Sequence, residues 1–448
     1  MLKYIAMYTI EPINEIKTEV TVPADKSISH RAVFFSAIGD KKIKIYPFLS
    51  SNDTQASLDC IKKLGIEYCQ DDSSQKTIYL QGKGLYFPKD KKVELFAGES
   101  GTTIRILSGL LVGQKFSSVF RAGNYLDKRP MGRIVYPLRE MGANIDGDKM
   151  VKQEQGDLYP PLKIEPASGL KGKSHTLNIA SAQVKSALLL AGLYAKGETV
   201  VEEPYKSRDH TERMLQAFGA NIEIDKNRVS LKPGAQLNLP NEIFIPSDFS
   251  AAAFFIVLAL ILEKSRIIVK NVNLNPSRCG LLKVLRRMNA DITIENKKEK
   301  IEPYGDIVVK SSRLCSTVVE QSEIAAMIDE VPILCVAAAY AKGQTQIKGL
   351  EELRVKETDR VFSMVSNLSQ AGVDILDKDD SPDGCQIIIN GGCGYRGVDF
   401  KSFGDHRTAM SLIIFSLAAK EKNKIDDIRC IDKSFPGFIK IIKECKTP

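Results

Sequence analysis

The sequence predicts an α/β protein of two domains, each assembled from three copies of one repeated unit. Three observations carry this. A chain of 448 residues exceeds what one core fills. A helix-ending motif recurs at intervals of about 75 residues. A helix apolar on every face recurs between its copies. With 43% hydrophobic and 26% charged residues, the composition is that of an ordinary globular protein.

The helix-ending motif is read at "KKLGIEY" (Gly65), "REMGANID" (Gly142), "QAFGANIEI" (Gly219), "RRMNADITI" (Asn289) and "SQAGVDIL" (Gly372). Each closes an amphipathic helix with Gly or Asn, residues that tolerate a left-handed cap, and then enters a strand. The alternating event is an apolar helix, a short turn and a strand. It is read six times, from "RAVFFSAIGDKKIKIY" and "TIRILSGLLVGQKFSSVF" to "AMSLIIFSLAAKEKNKI". Helices apolar all round must be buried on all sides, so three units share a helical core with sheets outside. The most apolar stretch, Phe249 to Leu262, falls short of the roughly 20 residues that span a bilayer and reads as a core helix.

The opening "MLKYIAMYTIEPINEIK" has neither the apolar core of a signal peptide nor the Arg/Ser richness of a transit peptide. Nine cysteines, including Cys393, are scattered with no C-x-x-C pair, which fits a reduced cytosolic protein. Four histidines without metal-ligand spacing predict no protein-built zinc site. The net charge of +8 is spread along the chain and favours anionic partners. A nucleic-acid interface is disfavoured: there is no Trp, aromatics make up only 7%, and no aromatic-basic stacking run occurs.

The segments preceding the apolar helices are "DKSISHR", "ESGTTIR", "SAQVKS", "PSDFS", "MIDEVP" and "GDHRT". Capping accounts for their Ser, Thr and Asp. It does not account for Lys26, Arg31, Arg105, Lys185 or Arg407, because cations at a helix N-terminus oppose its dipole. Their recurrence predicts several helix starts facing one strongly anionic ligand. "ELRVKETDR" is read as a helix with Lys356 and Arg360 one turn apart on one face. "YLDKRPMGR" adds Lys128, Arg129 and Arg133, and "KSRDHTER" adds Arg208.

Together these segments resemble the EPSP synthase family, the 3-phosphoshikimate 1-carboxyvinyltransferases. "SAQVKSALLLAGLYA" and "LRVKETDR" are its most specific motifs, and the segments occur in order over nearly the whole chain. The resemblance implies two domains of three βαβαββ units, with buried parallel helices surrounded by sheets, in an enolpyruvyl transferase or inverse α/β barrel-like fold. It places residues 23–246 in one domain and 1–22 plus 247–448 in the other, with the active site in the cleft between them and hinge strands near Pro23 and Pro246. The implied reaction transfers the carboxyvinyl group of phosphoenolpyruvate to the 5-hydroxyl of shikimate 3-phosphate in chorismate and aromatic amino-acid biosynthesis.

Matched residue by residue, Lys26, Gly101, Arg129, Gln183, Arg360, Arg407 and Lys433 are implied to hold phosphoenolpyruvate, with Thr102 beside Gly101. Lys26, Ser27, Arg31, Ser181, Ala182, Gln183, Arg208, Asp329 and Lys356 are implied to hold shikimate 3-phosphate. Asp329 is the candidate base at the hydroxyl. Glu357 is the candidate for proton traffic at C3, shared with Lys26 or Lys433. The family further implies no cofactor and no metal, a cytoplasmic monomer without nucleic-acid or membrane partners, and, at Gly101, room for glyphosate, a phosphoenolpyruvate competitor in this family. Glu99 departs from the family's usual Asn. It is expected to pair with a neighbouring cation or N–H group and to weaken phosphoenolpyruvate binding through its charge. The other readings are a UDP-N-acetylglucosamine enolpyruvyl transferase, disfavoured because no cysteine falls in a matching reactive loop, and an inactive phosphometabolite-binding protein.

Overall fold

The computed structural model describes residues 7–71, 76–149, 157–379, 384–392 and 394–445. Residues 1–6 of the opening segment and Cys393, both read above, lie outside them. The chain divides into a continuous unit, Ala24–Ile245, and a split unit, Met1–Pro23 with Pro246–Pro448.

Six buried helices organise the two units: α1 (Lys26–Ile38), α2 (Gly101–Leu111) and α3 (Ala182–Gly192) in the continuous unit, and α4 (Phe249–Ile261), α5 (Val331–Ala339) and α6 (His406–Ala418) in the split unit. Every residue of α4 from Phe249 to Leu260 is buried, and every residue of α6 from His406 to Leu417. Each large apolar side chain so placed contributes roughly 1.5–3 kcal/mol. Within the split unit α4, α5 and α6 pack on one another. Within the continuous unit α2 lies against α3 at Gly109, where a Cβ would come within 2.2 Å of the Ala187 carbonyl oxygen.

The strand after each buried helix sits at the same place in its sheet. Lys42–Tyr46, Ser118–Arg121, Thr199–Glu202, Arg266–Asn273, Gly343–Lys348 and Asn423–Ile425 each pair in parallel on one side and antiparallel on the other. In four sheets the parallel partner is the strand just before the same helix. The other two exchange partners. Lys17–Val20, which leads into α1, pairs with Arg266–Asn273 after α4, whereas Glu242–Phe244, which leads into α4, pairs with Lys42–Tyr46 after α1. Each unit thus takes one strand from the segment that leads into the other.

The five predicted caps are left-handed, with φ between 71° at Asn289 and 93° at Gly372. The amphipathic helices they end are Asn52–Lys63, Gly132–Glu140, His210–Ala217, Gly280–Arg287 and Arg360–Gln370. Among the described residues no helix is long and apolar enough to cross a membrane.

The Gly109 contact tests the helical core. Gly109→Ala pushes a methyl into backbone that cannot swing away, so it should lower unfolding free energy by about 3 kcal/mol, seen as a lower urea midpoint at unchanged slope.

Candidate functional site

In the continuous unit Lys26, Ser27, Gly101, Ser181, Ala182 and Gln183 lie at the starts of α1, α2 and α3, whereas Arg129 follows the turn Leu126–Lys128 and Arg208 precedes the helix His210–Ala217. Asp25 caps α1 by accepting from the Ile28 N–H at 3.0 Å, which leaves Lys26 and Ser27 on the first turn. Lys26 Nζ pairs with Asp53 Oδ2 at 3.1 Å. Arg31 is buried and ties the helices together: its Nε donates to Thr211 Oγ1 (2.7 Å), Nη1 to the Ser27 carbonyl (3.0 Å) and Nη2 to Ser186 Oγ (2.8 Å). Arg31 therefore fixes the backbone of Ser27.

The α2 start is built on Ser100, which accepts from the Thr103 N–H at 3.2 Å. Gln183 on α3 donates from Nε2 to Thr102 Oγ1 (3.0 Å) and accepts from Arg105 Nη1 (2.9 Å). A Cβ on Gly101 would lie 2.8 Å from Arg105 Nη1 and 3.5 Å from Arg129 Nη1, so two guanidinium groups flank this glycine. Only a residue without a side chain leaves that approach open. Glu99 does not cap the helix, a role that Ser100 takes. Its Oε2 accepts from the Leu126 N–H at 2.9 Å and its Oε1 from the Tyr125 N–H at 3.4 Å, so its partners are N–H groups of the loop that carries Arg129.

Beneath these starts runs a buried hydroxyl chain. His30 Nδ1 lies 2.7 Å from Ser57 Oγ, Ser57 Oγ lies 2.8 Å from Thr103 Oγ1, and Thr103 Oγ1 donates to Ser100 Oγ at 2.7 Å. Burial lowers His30 to about 3, against an attraction from Asp53, so the imidazole is neutral.

In the split unit the centre is Arg360, 2% exposed. Its Nε donates to Asp405 Oδ2 (2.9 Å), Nη1 to Asp329 Oδ1 (3.2 Å) and Nη2 to Glu357 Oε2 (2.6 Å). Burial works against its charge, but these three carboxylates hold it well above the usual arginine range, Asp405 foremost. Asp405 also caps α6 through the N–H groups of Arg407 (2.8 Å) and Thr408 (3.0 Å). Burial pushes Asp405 up, and the Arg360 charge overcomes it to bring the carboxyl below the usual range. Arg407 Nε lies 3.4 Å from Asp329 Oδ1, so Asp329 sits between two guanidinium groups. Burial lowers the Lys356 ammonium, with Asp329 opposing. Lys433 is exposed at the end of the turn Arg429–Lys433.

Two expectations are corrected. Lys185 does not face an external anion: it is 1% exposed and its Nζ lies 2.6 Å from Glu203 Oε2 and 2.7 Å from Glu212 Oε1. An apolar helix buried all round must neutralise its one lysine internally. Nor are Lys356 and Arg360 one turn apart on a helix. The short helix Glu351–Arg354 ends before Lys356, and Asp359 caps a new one at Arg360, accepting from the Phe362 N–H at 2.9 Å. Lys356 and Glu357 thus lie on the intervening loop.

Sequence reasoning passed over Arg278 and Glu203. Arg278 is buried between Glu330 and the α4 cap: Nη1 reaches Glu330 Oε1 at 3.1 Å and Nη2 reaches Asp248 Oδ1 at 3.0 Å. Nothing in "NPSRCG" marks it. Glu203 had a signal, since a lysine inside an apolar helix demands a carboxylate.

Repeated α/β units around buried helices that start on charged and hydroxyl caps define a two-unit α/β protein of the enolpyruvyl transferase fold. The chain belongs to the EPSP synthase (3-phosphoshikimate 1-carboxyvinyltransferase) family, whose model matches residues 10–442. It is 42% identical over 437 residues to the 3-phosphoshikimate 1-carboxyvinyltransferase of Citrifermentans bemidjiense, covering 97% of this chain and 98% of that one. It is 45% identical, with the same coverage, to that of Thermodesulfovibrio yellowstonii. Its fold matches the EPSP synthase of Acinetobacter baumannii at a TM-score of 0.85 and 38% identity, over 98% of both chains.

The state of His30 predicts an acid limb. The unfolded imidazole takes a proton near pH 6.5, and the folded one refuses it down to about 3, so stability falls as pH drops through that window. The loss is up to about 1.4 kcal/mol per pH unit. Urea titrations between pH 7 and 4 should show a shallower slope for His30→Gln than for the parent.

Proposed function

We propose that this chain transfers the carboxyvinyl group of phosphoenolpyruvate to the 5-hydroxyl of shikimate 3-phosphate and releases phosphate. The observation that carries the reading is Asp329 held by Arg360 and Arg407, with Glu357 on the same Arg360. Two carboxylates paired with buried guanidinium groups suit a reaction that moves two protons between bound anions.

Each substrate brings a carboxylate and a phosphate of about −1.5 to −2 charge, so binding calls for many cations. Lys26, Arg129, Gln183, Arg360, Arg407 and Lys433 hold phosphoenolpyruvate, with Gly101 giving the backbone approach. Ser27, Arg31, Ser181, Ala182, Arg208, Asp329 and Lys356 hold shikimate 3-phosphate, with Lys26 and Gln183 touching both substrates. Arg31, already committed to Thr211, Ser186 and Ser27, acts mainly by fixing the Ser27 backbone.

In the addition step Asp329 takes the proton of the 5-hydroxyl as that oxygen attacks C2, and C3 gains a proton through Glu357, assisted by Lys26 or Lys433. The product is a tetrahedral ketal phosphate. In the elimination step C3 returns its proton, the C2–O bond to phosphate breaks, and the double bond re-forms. The fixed guanidinium and ammonium groups stabilise the phosphate as its charge develops. The chain works as a cytoplasmic monomer on these small molecules alone.

Phosphate release with both substrates present tests the reading. The parent should turn over, and shikimate 3-phosphate should not be replaceable by UDP-N-acetylglucosamine. Asp329→Ala should lower kcat by at least about 100-fold, the scale of a lost acid–base group. Binding without turnover in the parent would leave an inactive phosphometabolite-binding protein.

Glu99 gives a second test. Glu99→Gln keeps an acceptor for the Leu126 N–H while removing a charge beside Gly101. The KM for phosphoenolpyruvate should fall about threefold in steady-state assays. Glu99→Ala, which releases the loop bearing Arg129, should raise it.

A further inference from the structure

We infer that Glu203 is a positioning residue for shikimate 3-phosphate, holding two separate binding segments at a fixed spacing through one buried carboxylate. The inference rests on the reading of Ser181 and Arg208 as ligands of that substrate. Glu203 directly follows the strand Thr199–Glu202 and is 1% exposed. Its Oε1 accepts from the Ser181 N–H at 3.1 Å, and its Oε2 accepts from the Ser207 N–H at 3.2 Å and from Lys185 Nζ at 2.6 Å. Ser181 is the cap of α3, and Ser207 is the residue before Arg208.

Neither backbone N–H lies within a helix or sheet ladder, so each takes its place from the carboxylate. The carboxylate in turn is fixed by Lys185, which is locked into α3 and shared with Glu212. The phosphate-binding geometry is therefore set from below, by a side chain that never touches the substrate. Glu212 is the natural control. It belongs to the same charge cluster, and no backbone N–H of the 181 or 207 segments donates to it among the described residues. Glu212→Gln leaves Lys185 its pair with Glu203 and keeps an acceptor of the same shape at position 212.

Three variants decide the matter: Glu203→Gln, Glu203→Asp and Glu212→Gln. The shortened Asp keeps a negative charge for Lys185 and withdraws from the two N–H groups, so it supplies a folded variant should the Gln form prove unstable. Both Glu203 variants should raise the KM for shikimate 3-phosphate about tenfold, with kcat and the KM for phosphoenolpyruvate within about twofold of the parent. Calorimetric binding of shikimate 3-phosphate alone should weaken by the same factor. Glu212→Gln should leave all of these unchanged. An unmoved KM for shikimate 3-phosphate, an equal change in both KM values, or the same loss in Glu212→Gln overturns the inference. Absence of turnover and of shikimate 3-phosphate binding in the parent overturns the functional reading instead.

Discussion

A helix apolar on every face can be stable only where water is excluded, and the N–H groups of its first turn must then find partners in the protein. The rest of this structure follows from that constraint. Asp25, Ser100, Ser181, Asp248 and Asp405 each turn a side-chain oxygen back onto their own helix. Three of the five caps are carboxylates, and two of those hold an arginine as well: Arg278 on Asp248 and Arg360 on Asp405. The need to close helix ends thus brings paired charge to the starts of α4 and α6.

Charge pairing also fixes Arg360. A buried guanidinium costs several kcal/mol unless its donors are met, and Arg360 meets them with three carboxylates. Arg360 is therefore oriented before any anion arrives, the arrangement under which electrostatic stabilisation requires least reorganisation. Any further anion at Arg360 would have to compete with Asp329 and Glu357 for the same cation. The pairs of Asp329, Glu357 and Asp405 are thus linked through one side chain, and a change at any of them is felt by the others.

What the sequence made legible was whatever is local. Left-handed caps at Gly65, Gly142, Gly219, Asn289 and Gly372, apolar helices, and Ser or Asp at helix starts are all properties of a few consecutive residues. The errors arose where partners are distant in sequence. Lys185 resembled the other cations until Glu203 and Glu212, on a strand end and a neighbouring helix, were seen to neutralise it. The loop at Lys356 was hidden because "ELRVKETDR" has good helical composition, and only the Asp359 cap shows that a second helix starts there. Glu99 lay between these cases: its pairing with N–H groups was foreseen in kind, while the identity of the loop at Tyr125 and Leu126 was not.

The exchanged strands carry a consequence for how the protein is made. The split unit needs Lys17–Val20 beside Arg266–Asn273, and Tyr8–Ile10 beside Asn423–Ile425. Those first strands leave the ribosome long before their partners exist, whereas the continuous unit can close as soon as Glu242–Phe244 is made. Translation therefore imposes an order: the middle of the chain matures first, and its compaction shortens the loop that must be closed to join the two ends of the split unit. Pairing across so long a separation forms late, and until it does the early strand edges of the split unit have no partner to cover them.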